Sequence, residues 1–292
     1  MERRDAVAGA RRRARRHMPG AARRRLGRMR TCEALPMPKR RDVRRFGPGP
    51  YILGLEPGAA DWGEGFPFDV PAVADVAKLR LDASVTLLAG NNGSGKSTLI
   101  EAIAEAIGFA PEGGELERAG ELPAVPRAVF GGALEPVLAP WSKPRTGYFL
   151  RAESFFNIAA FIDGGSTFAP DLSLYGEVPL HQQSHGESFL ALAANRFGGE
   201  GLYILDEPEA ALSVSGALAL LTAVVPAARA GAQFVIATHS PVLLACPDAV
   251  IYELGEAGIA RCEYDDLDAV RFTRGFLDAP ERYLRAALGE LD

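Results

Sequence analysis

Gly90-Asn91-Asn92-Gly93-Ser94-Gly95-Lys96-Ser97 is a full match to the pattern G-x-x-x-x-G-K-[ST]. Before it, Val85-Thr86-Leu87-Leu88-Ala89 is a short apolar run of the kind that forms a buried strand. After it, Leu99, Ile100, Ile103 and Ile107 recur at helical spacing, and Gly108 is a helix stop. Strand, glycine loop and helix therefore follow in the order that a phosphate cradle needs. Glycines at 90, 93 and 95 take backbone conformations that a Cβ would hinder, so that successive N–H groups can turn inward toward phosphate oxygens. The helix N-terminus adds partial positive charge. Lys96 is expected to reach the β and γ phosphates and Ser97 to ligate Mg²⁺. Asn91, Asn92, Ser94 and Thr98 complete the residues expected to line the triphosphate of ATP.

Three further segments end in chemistry. Leu202-Tyr203-Ile204-Leu205-Asp206-Glu207-Pro208 is an apolar strand closing in two carboxylates. Asp206 fits the Mg²⁺ shell, and Glu207 is then placed to orient or deprotonate an attacking water. Alone, the segment equally reads as a strand with a charged exit. Gln233-Phe234-Val235-Ile236-Ala237-Thr238-His239-Ser240-Pro241 is a second such strand. Ser240 suits a helix N-cap and Pro241 the first helical position. That leaves His239 in the strand-to-helix crevice where open α/β sheets bind ligands. Ser184-His185-Gly186-Glu187-Ser188 precedes an apolar helix and is either an anion site, through Ser184 and Gly186, or a helix cap.

In order and spacing these segments resemble the ATP-binding-cassette ATPases. Ser184 follows Lys96 by 88 residues, Asp206 follows Ser184 by 22, and His239 follows Asp206 by 33. The resemblance covers about residues 80–250. It implies an α/β P-loop NTPase fold of ABC type, with a mainly parallel central sheet flanked by helices. It identifies Gly90–Ser97 as Walker A, Leu202–Glu207 as Walker B with the catalytic Glu207, Ala211-Leu212-Ser213 as the D-loop and His239 as the switch histidine. Ser184–Ser188 becomes a degenerate signature motif, since the family usually has Ser-Gly-Gly-Gln there. Glu153 falls where the metal-contacting glutamine is expected, or else forms a structural ion pair with Arg151. The resemblance further implies an ATP-dependent head-to-tail homodimer in which Ser184 and Gly186 complete the partner's site.

Glu153 and Ser184 lie only 31 residues apart, with Gly164, Gly165, Pro170, Gly176 and Pro179 between them. This leaves little room for the helical subdomain by which transporter cassettes dock on membrane partners. No heptad arm is inserted either. The chain therefore looks similar to compact stand-alone AAA-family ATPases, relatives of the RecF, SMC and overcoming-lysogenisation-defect groups, and the implied roles are nucleic-acid maintenance or defence. A transporter energy subunit and a slow nucleotide-dependent switch are the alternatives, and the protein partner is open.

Bulk properties are compatible with this. A hydrophobic content of 48% over 292 residues is ample for a core. No run approaches the length of a membrane-spanning helix. No apolar leader is present, and Cys32, Cys246 and Cys262 have neither metal nor disulfide spacing, so the expected location is cytoplasmic. The total charge of −5 hides an asymmetry. In residues 1–45, sixteen arginines and Lys39 stand against Glu2, Asp5, Glu33 and Asp42, a net of +13. That segment is expected to lack a core and to precede a single ATPase domain over 46–292. It either contacts nucleic acid electrostatically or reflects a translation start at Met29 or Met37. Residues 46–80 and 109–147, rich in Gly and Pro, read as irregular chain, with Trp62, Phe66 or Phe68 as candidates to stack on adenine. Ala249–Leu254 and Ile259–Tyr264 flank a hairpin turn, and helices broken at Pro280 close the chain.

Overall fold

The computed structural model describes residues 45–58, 64–111, 113–116, 134–151 and 184–289. The chain runs β1 (Arg45–Phe46), β2 (Ile52–Pro57), α1 (Pro71–Ala74), β3 (Val85–Ala89), α2 (Lys96–Ile107), β4 (Gly114–Glu115), β5 (Leu134–Leu138), β6 (Ser142–Lys143) and β7 (Thr146–Arg151). It continues through α3 (His185–Arg196), β8 (Gly201–Asp206), α4 (Val214–Arg229), β9 (Gln233–Ala237), α5 (Pro241–Leu244), β10 (Val250–Gly255), β11 (Gly258–Arg261), α6 (Asp268–Asp278) and α7 (Pro280–Ala287).

Among the described residues, seven strands form one sheet in the order β11-β10-β3-β9-β8-β7-β4. The five inner strands are mutually parallel, and β11 and β4 close the edges antiparallel. β3, β8 and β9 are buried along their whole length, which is why each reads as a continuous apolar run rather than an alternation. Their side chains alternate between two cores. Leu87, Tyr203 and Phe234 pack with Phe189 of α3, Leu220 of α4 and Leu243 of α5. Leu88, Ile204 and Val235 pack with Leu99 and Ile103 of α2 and Val73 of α1 on the other face. Leu99, Ile100, Ile103 and Ile107 are each fully buried, which stabilises roughly 1.5–3 kcal/mol per side chain. α2 ends at Gly108, in a left-handed conformation with φ 103°, as its sequence requires.

Two regions expected to be irregular contain strands. β2 pairs antiparallel with β5, with a register shift between Ile52 and Gly54, and β1 pairs parallel with β6. Pro57 and Pro136 sit within this two-stranded pair, where an edge tolerates a missing N–H, and they hid it from sequence inspection. The pair is tied to the main sheet by one buried side chain. The Gln233 Oε1 accepts from the Tyr51 and Ile52 N–H groups at 2.7 and 3.0 Å, while its Nε2 donates to the carbonyls of Ile52 and Leu81. The β10–β11 hairpin and the helix break at Pro280 form as the sequence predicts. Among the described residues no helix is long and apolar enough to cross a membrane.

Candidate functional site

The parallel strands deliver their charged exits to one edge. β3 ends at the glycine loop, β8 at Asp206 and Glu207, β9 just before Thr238 and His239, and β7 at Arg151. The loop can form only with glycine at two places. A Cβ on Gly90, at φ +148°, would lie 2.5 Å from the Leu254 carbonyl oxygen, and one on Gly95, at φ +94°, would lie 2.6 Å from Val70 Cγ1. The β10–β11 turn and the start of α1 therefore press on the loop from two sides and fix its path. A cavity of about 560 Å³ opens beside it, lined by Asn91, Gly93, Pro71, Glu253 and Glu256.

Lys96 is 3% exposed. Its Nζ donates to the carbonyls of Gly90 and Asn91 at 2.9 and 3.1 Å and lies 3.4 Å from Glu207 Oε1. The ammonium is thus held in the throat of the loop, with a carboxylate as counter-charge. The Ser97 hydroxyl donates to Asp206 Oδ1 at 3.3 Å, so that a hydroxyl and a carboxylate form an oxygen donor pair of the kind that hard divalent cations take. Ser94 Oγ is buried and has no hydrogen-bond partner among the described residues. Asn91, Asn92 and Gly93 are exposed, and Thr98 is half-buried on the first turn of α2.

Glu207 has a left-handed backbone, φ 48° and ψ 52°, which costs a non-glycine residue on the order of 1 kcal/mol. Its N–H donates to the Ala237 carbonyl at 3.0 Å, anchoring the turn while the side chain stays about one-third exposed. His239 Nδ1 lies 3.9 Å from Glu207 Oε1, and its ring is half exposed. Lys96, Ser97, Asp206, Glu207 and His239, selected from three separated segments, therefore converge in one cluster.

Two further residues belong to this cluster. Arg151 Nε lies 3.6 Å from Asp206 Oδ2, and another of its nitrogens lies 2.6 Å from Glu101 Oε1. Register explains the placement, since Arg151 pairs with Asp206 across β7 and β8. The signal in the sequence was a charge ending each of two neighbouring parallel strands. Glu209 accepts from Thr238 Oγ1 at 2.6 Å and from the His239 and Ser240 N–H groups at 2.7 and 3.2 Å. Ser240 does occupy the N-cap position with Pro241 after it, but its side chain makes no capping hydrogen bond, and its N–H donates to Thr238 Oγ1 at 3.0 Å and to Glu209. Of the alternatives for Arg151 and Glu153, Arg151 takes Glu101 and Asp206, and Glu153 lies outside the described residues.

Ser184 forms a complete capping box. Its Oγ accepts from the Glu187 N–H, and its own N–H donates to the Glu187 carboxylate at 2.9 Å. The hydrogen bond from the Ser184 side chain holds Glu187 below the usual carboxylate range. Gly186 faces the D-loop segment, where a Cβ would lie 3.1 Å from the Ala211 carbonyl oxygen.

Burial raises the Asp206 carboxyl to about 6, although Arg151 pulls it down and Glu207 pushes it up again. The same group ionises near 3.8 when unperturbed. Its protonation therefore favours the folded state. That contribution is complete below about 3.8 and is lost as the pH rises through about 6. Nucleotide-free Asp206→Asn is accordingly expected to exceed the parent chain in stability at pH 8 by on the order of 2 kcal/mol, with the gap closing toward pH 4. Urea unfolding at a series of pH values checks this, and a gap that does not vary with pH places the ionisation elsewhere.

Comparison with known proteins agrees with this geometry. A family model described as "AAA domain, putative AbiEii toxin, Type IV TA system" matches residues 151–245, and a second described as "AAA domain" matches residues 73–120. Over these two stretches the chain resembles ATPase domains of the AAA type. The two matches take in the glycine loop, Asp206, Glu207 and His239. The cytochrome c biogenesis ATP-binding export protein CcmA of Salmonella typhi is 29% identical to this chain over 161 residues, covering 52% of this chain and 75% of CcmA. The SMC head domain from Thermotoga maritima aligns at 16% identity and a TM-score of 0.36, covering 63% of this chain and 92% of that one. For cbiO1 from Clostridium perfringens, part of the ABC transporter complex cbiONQ, the values are 16% and 0.42, covering 82% of this chain and 99% of that one.

Proposed function

We propose that the chain binds Mg²⁺ and ATP, hydrolyses ATP, and works as an ATP-bridged homodimer in nucleic-acid maintenance or defence. The observation that carries this is the convergence of Lys96, Ser97, Asp206, Glu207 and His239 on the edge of one parallel sheet. The loop N–H groups, Ser94 and Lys96 hold the triphosphate. Ser97 and Asp206 hold Mg²⁺, which when bound neutralises charge on the β and γ phosphates. Glu207 takes a proton from the attacking water, and His239 contacts that water or the γ-phosphate. Glu153 is proposed as a further metal contact. The Arg-rich segment 1–45 precedes this single domain, which acts in the cytoplasm.

Ser184 and Gly186 are proposed to reach the nucleotide of a second copy, since the α3 N-terminus is a separate anion-binding end. Hydrolysis-deficient Glu207→Gln is then expected to shift from monomer to dimer when ATP is added, as measured by light scattering. Adding Ser184→Arg should abolish that dimer while ATP binding to the monomer persists. A Glu207→Gln chain that stays monomeric at saturating ATP removes the bridging reading and leaves Ser184 as a helix cap.

The match to CcmA favours one other reading, an energy subunit for a membrane export complex. Turnover stimulated by DNA supports the first reading. Co-purification with a membrane protein instead supports the second.

A further inference from the structure

The most heavily bonded carboxylate beside the nucleotide site is not one of the two at the end of β8. Glu209 lies on the short helical turn Pro208–Ala211, and its side chain is 10% exposed. Its Oε1 receives Thr238 Oγ1, the His239 N–H and the Ser240 N–H, and it lies 3.3 Å from His239 Nδ1. Its Oε2 is buried without a partner among the described residues. A buried carboxylate whose contacts gather on one oxygen, around one histidine, is doing more than closing a turn. The turn after β8 and the turn after β9 are joined here by an acidic side chain, and the oxygen that receives the His239 N–H also lies beside the ring Nδ1.

We propose that Glu209 is a positioning residue that keeps a proton on His239 Nδ1, so that Nε2 is the nitrogen left to offer a lone pair to the attacking water. The inference rests on the reading of His239 as part of an ATP-hydrolysing site and narrows its role there. A neutral imidazole carries one N–H, and the hydrogen bond at one nitrogen decides which nitrogen has it. Nδ1 faces two carboxylates, Glu209 at 3.3 Å and Glu207 at 3.9 Å, both of which can only accept when ionised. The proton therefore belongs on Nδ1. Nε2, which no described residue hydrogen-bonds, becomes an acceptor. An acceptor repels an ionised γ-phosphate oxygen and attracts a water O–H. The tautomer thus assigns His239 to the water and leaves the phosphate to Lys96 and the loop.

Two measurements on the full chain decide this. The first is the side-chain ¹⁵N spectrum of histidine-labelled protein without nucleotide, with His239 identified by its loss in His239→Gln. The parent should show protonated Nδ1 and unprotonated Nε2. Glu209→Gln retains an oxygen for Thr238 and the two N–H groups without the charge that favours a proton on Nδ1, so the Nε2–H tautomer should gain population there, and it should predominate in Glu209→Ala, which removes the oxygen as well. A tautomer unchanged in Glu209→Gln overturns the proposal, even if the alanine variant does not fold. The second is turnover, where Glu209→Gln should lower kcat roughly tenfold with KM for ATP within about twofold of the parent. A merely structural role would move KM and stability and leave the tautomer alone. If the parent chain shows no ATP hydrolysis, the ATPase reading fails, and the nitrogen spectrum still decides whether Glu209 sets the ring.

Discussion

Glu207→Gln is expected to bind ATP at least as tightly as the parent chain and to hydrolyse it at least roughly a hundredfold more slowly. The amide cannot accept the proton of the attacking water, whereas it fits the space and the left-handed backbone that Glu207 already occupies. Binding should not suffer, because Glu207 is the counter-charge of the buried Lys96 ammonium at 3.4 Å. Removing that charge leaves Lys96 with two carbonyl partners and a stronger pull on phosphate. Equilibrium binding of ATP together with steady-state turnover checks both halves. Near-normal turnover would transfer the base role to another group, with His239 the nearest in the cluster.

Lys96→Ala should weaken ATP binding at least about a hundredfold while the chain stays folded. Hydrogen bonds from a charged donor contribute about 1.5–3 kcal/mol each, and the ammonium would give up at least two of them. The fold has little to lose, since the residues around Lys96 are loop carbonyls and Glu207, which water can satisfy near the surface. Titration with ATP and a thermal melt separate the two effects. Parent-like affinity in the variant would remove Lys96 from the phosphate site, and a large fall in melting temperature would make it a structural ion.

The loop, the helix after it and the acidic exit of β8 were legible because each is a local pattern. Glycines at fixed offsets, an apolar period and a carboxylate after four apolar residues each span no more than about a dozen positions. Arg151 and Glu209 were not assigned their roles, because those roles are decided across the fold. Arg151 acquires Asp206 only through the β7–β8 register, 55 residues apart. Glu209 acquires His239 only when two turns 30 residues apart face each other. The β2–β5 pair escaped for another reason, since its prolines and Gly54 mimic a loop. For Ser240 the local rule placed the helix start at Pro241, but the four-residue helix Pro241–Leu244 begins without a side-chain cap.

At Gln233 the domain depends on an amide that a carboxylate could not replace. Deamidation of a surface glutamine adds a harmless charge. Here the same exchange of one nitrogen for oxygen would set carboxylate lone pairs against the carbonyls of Ile52 and Leu81, which now receive both N–H bonds of the amide. The joint between the β2–β5 pair and the central sheet would become a repulsion in a site closed to water, about 140 residues along the chain from the phosphate loop. A change of one dalton in a fully buried side chain would separate two parts of the nucleotide-binding fold.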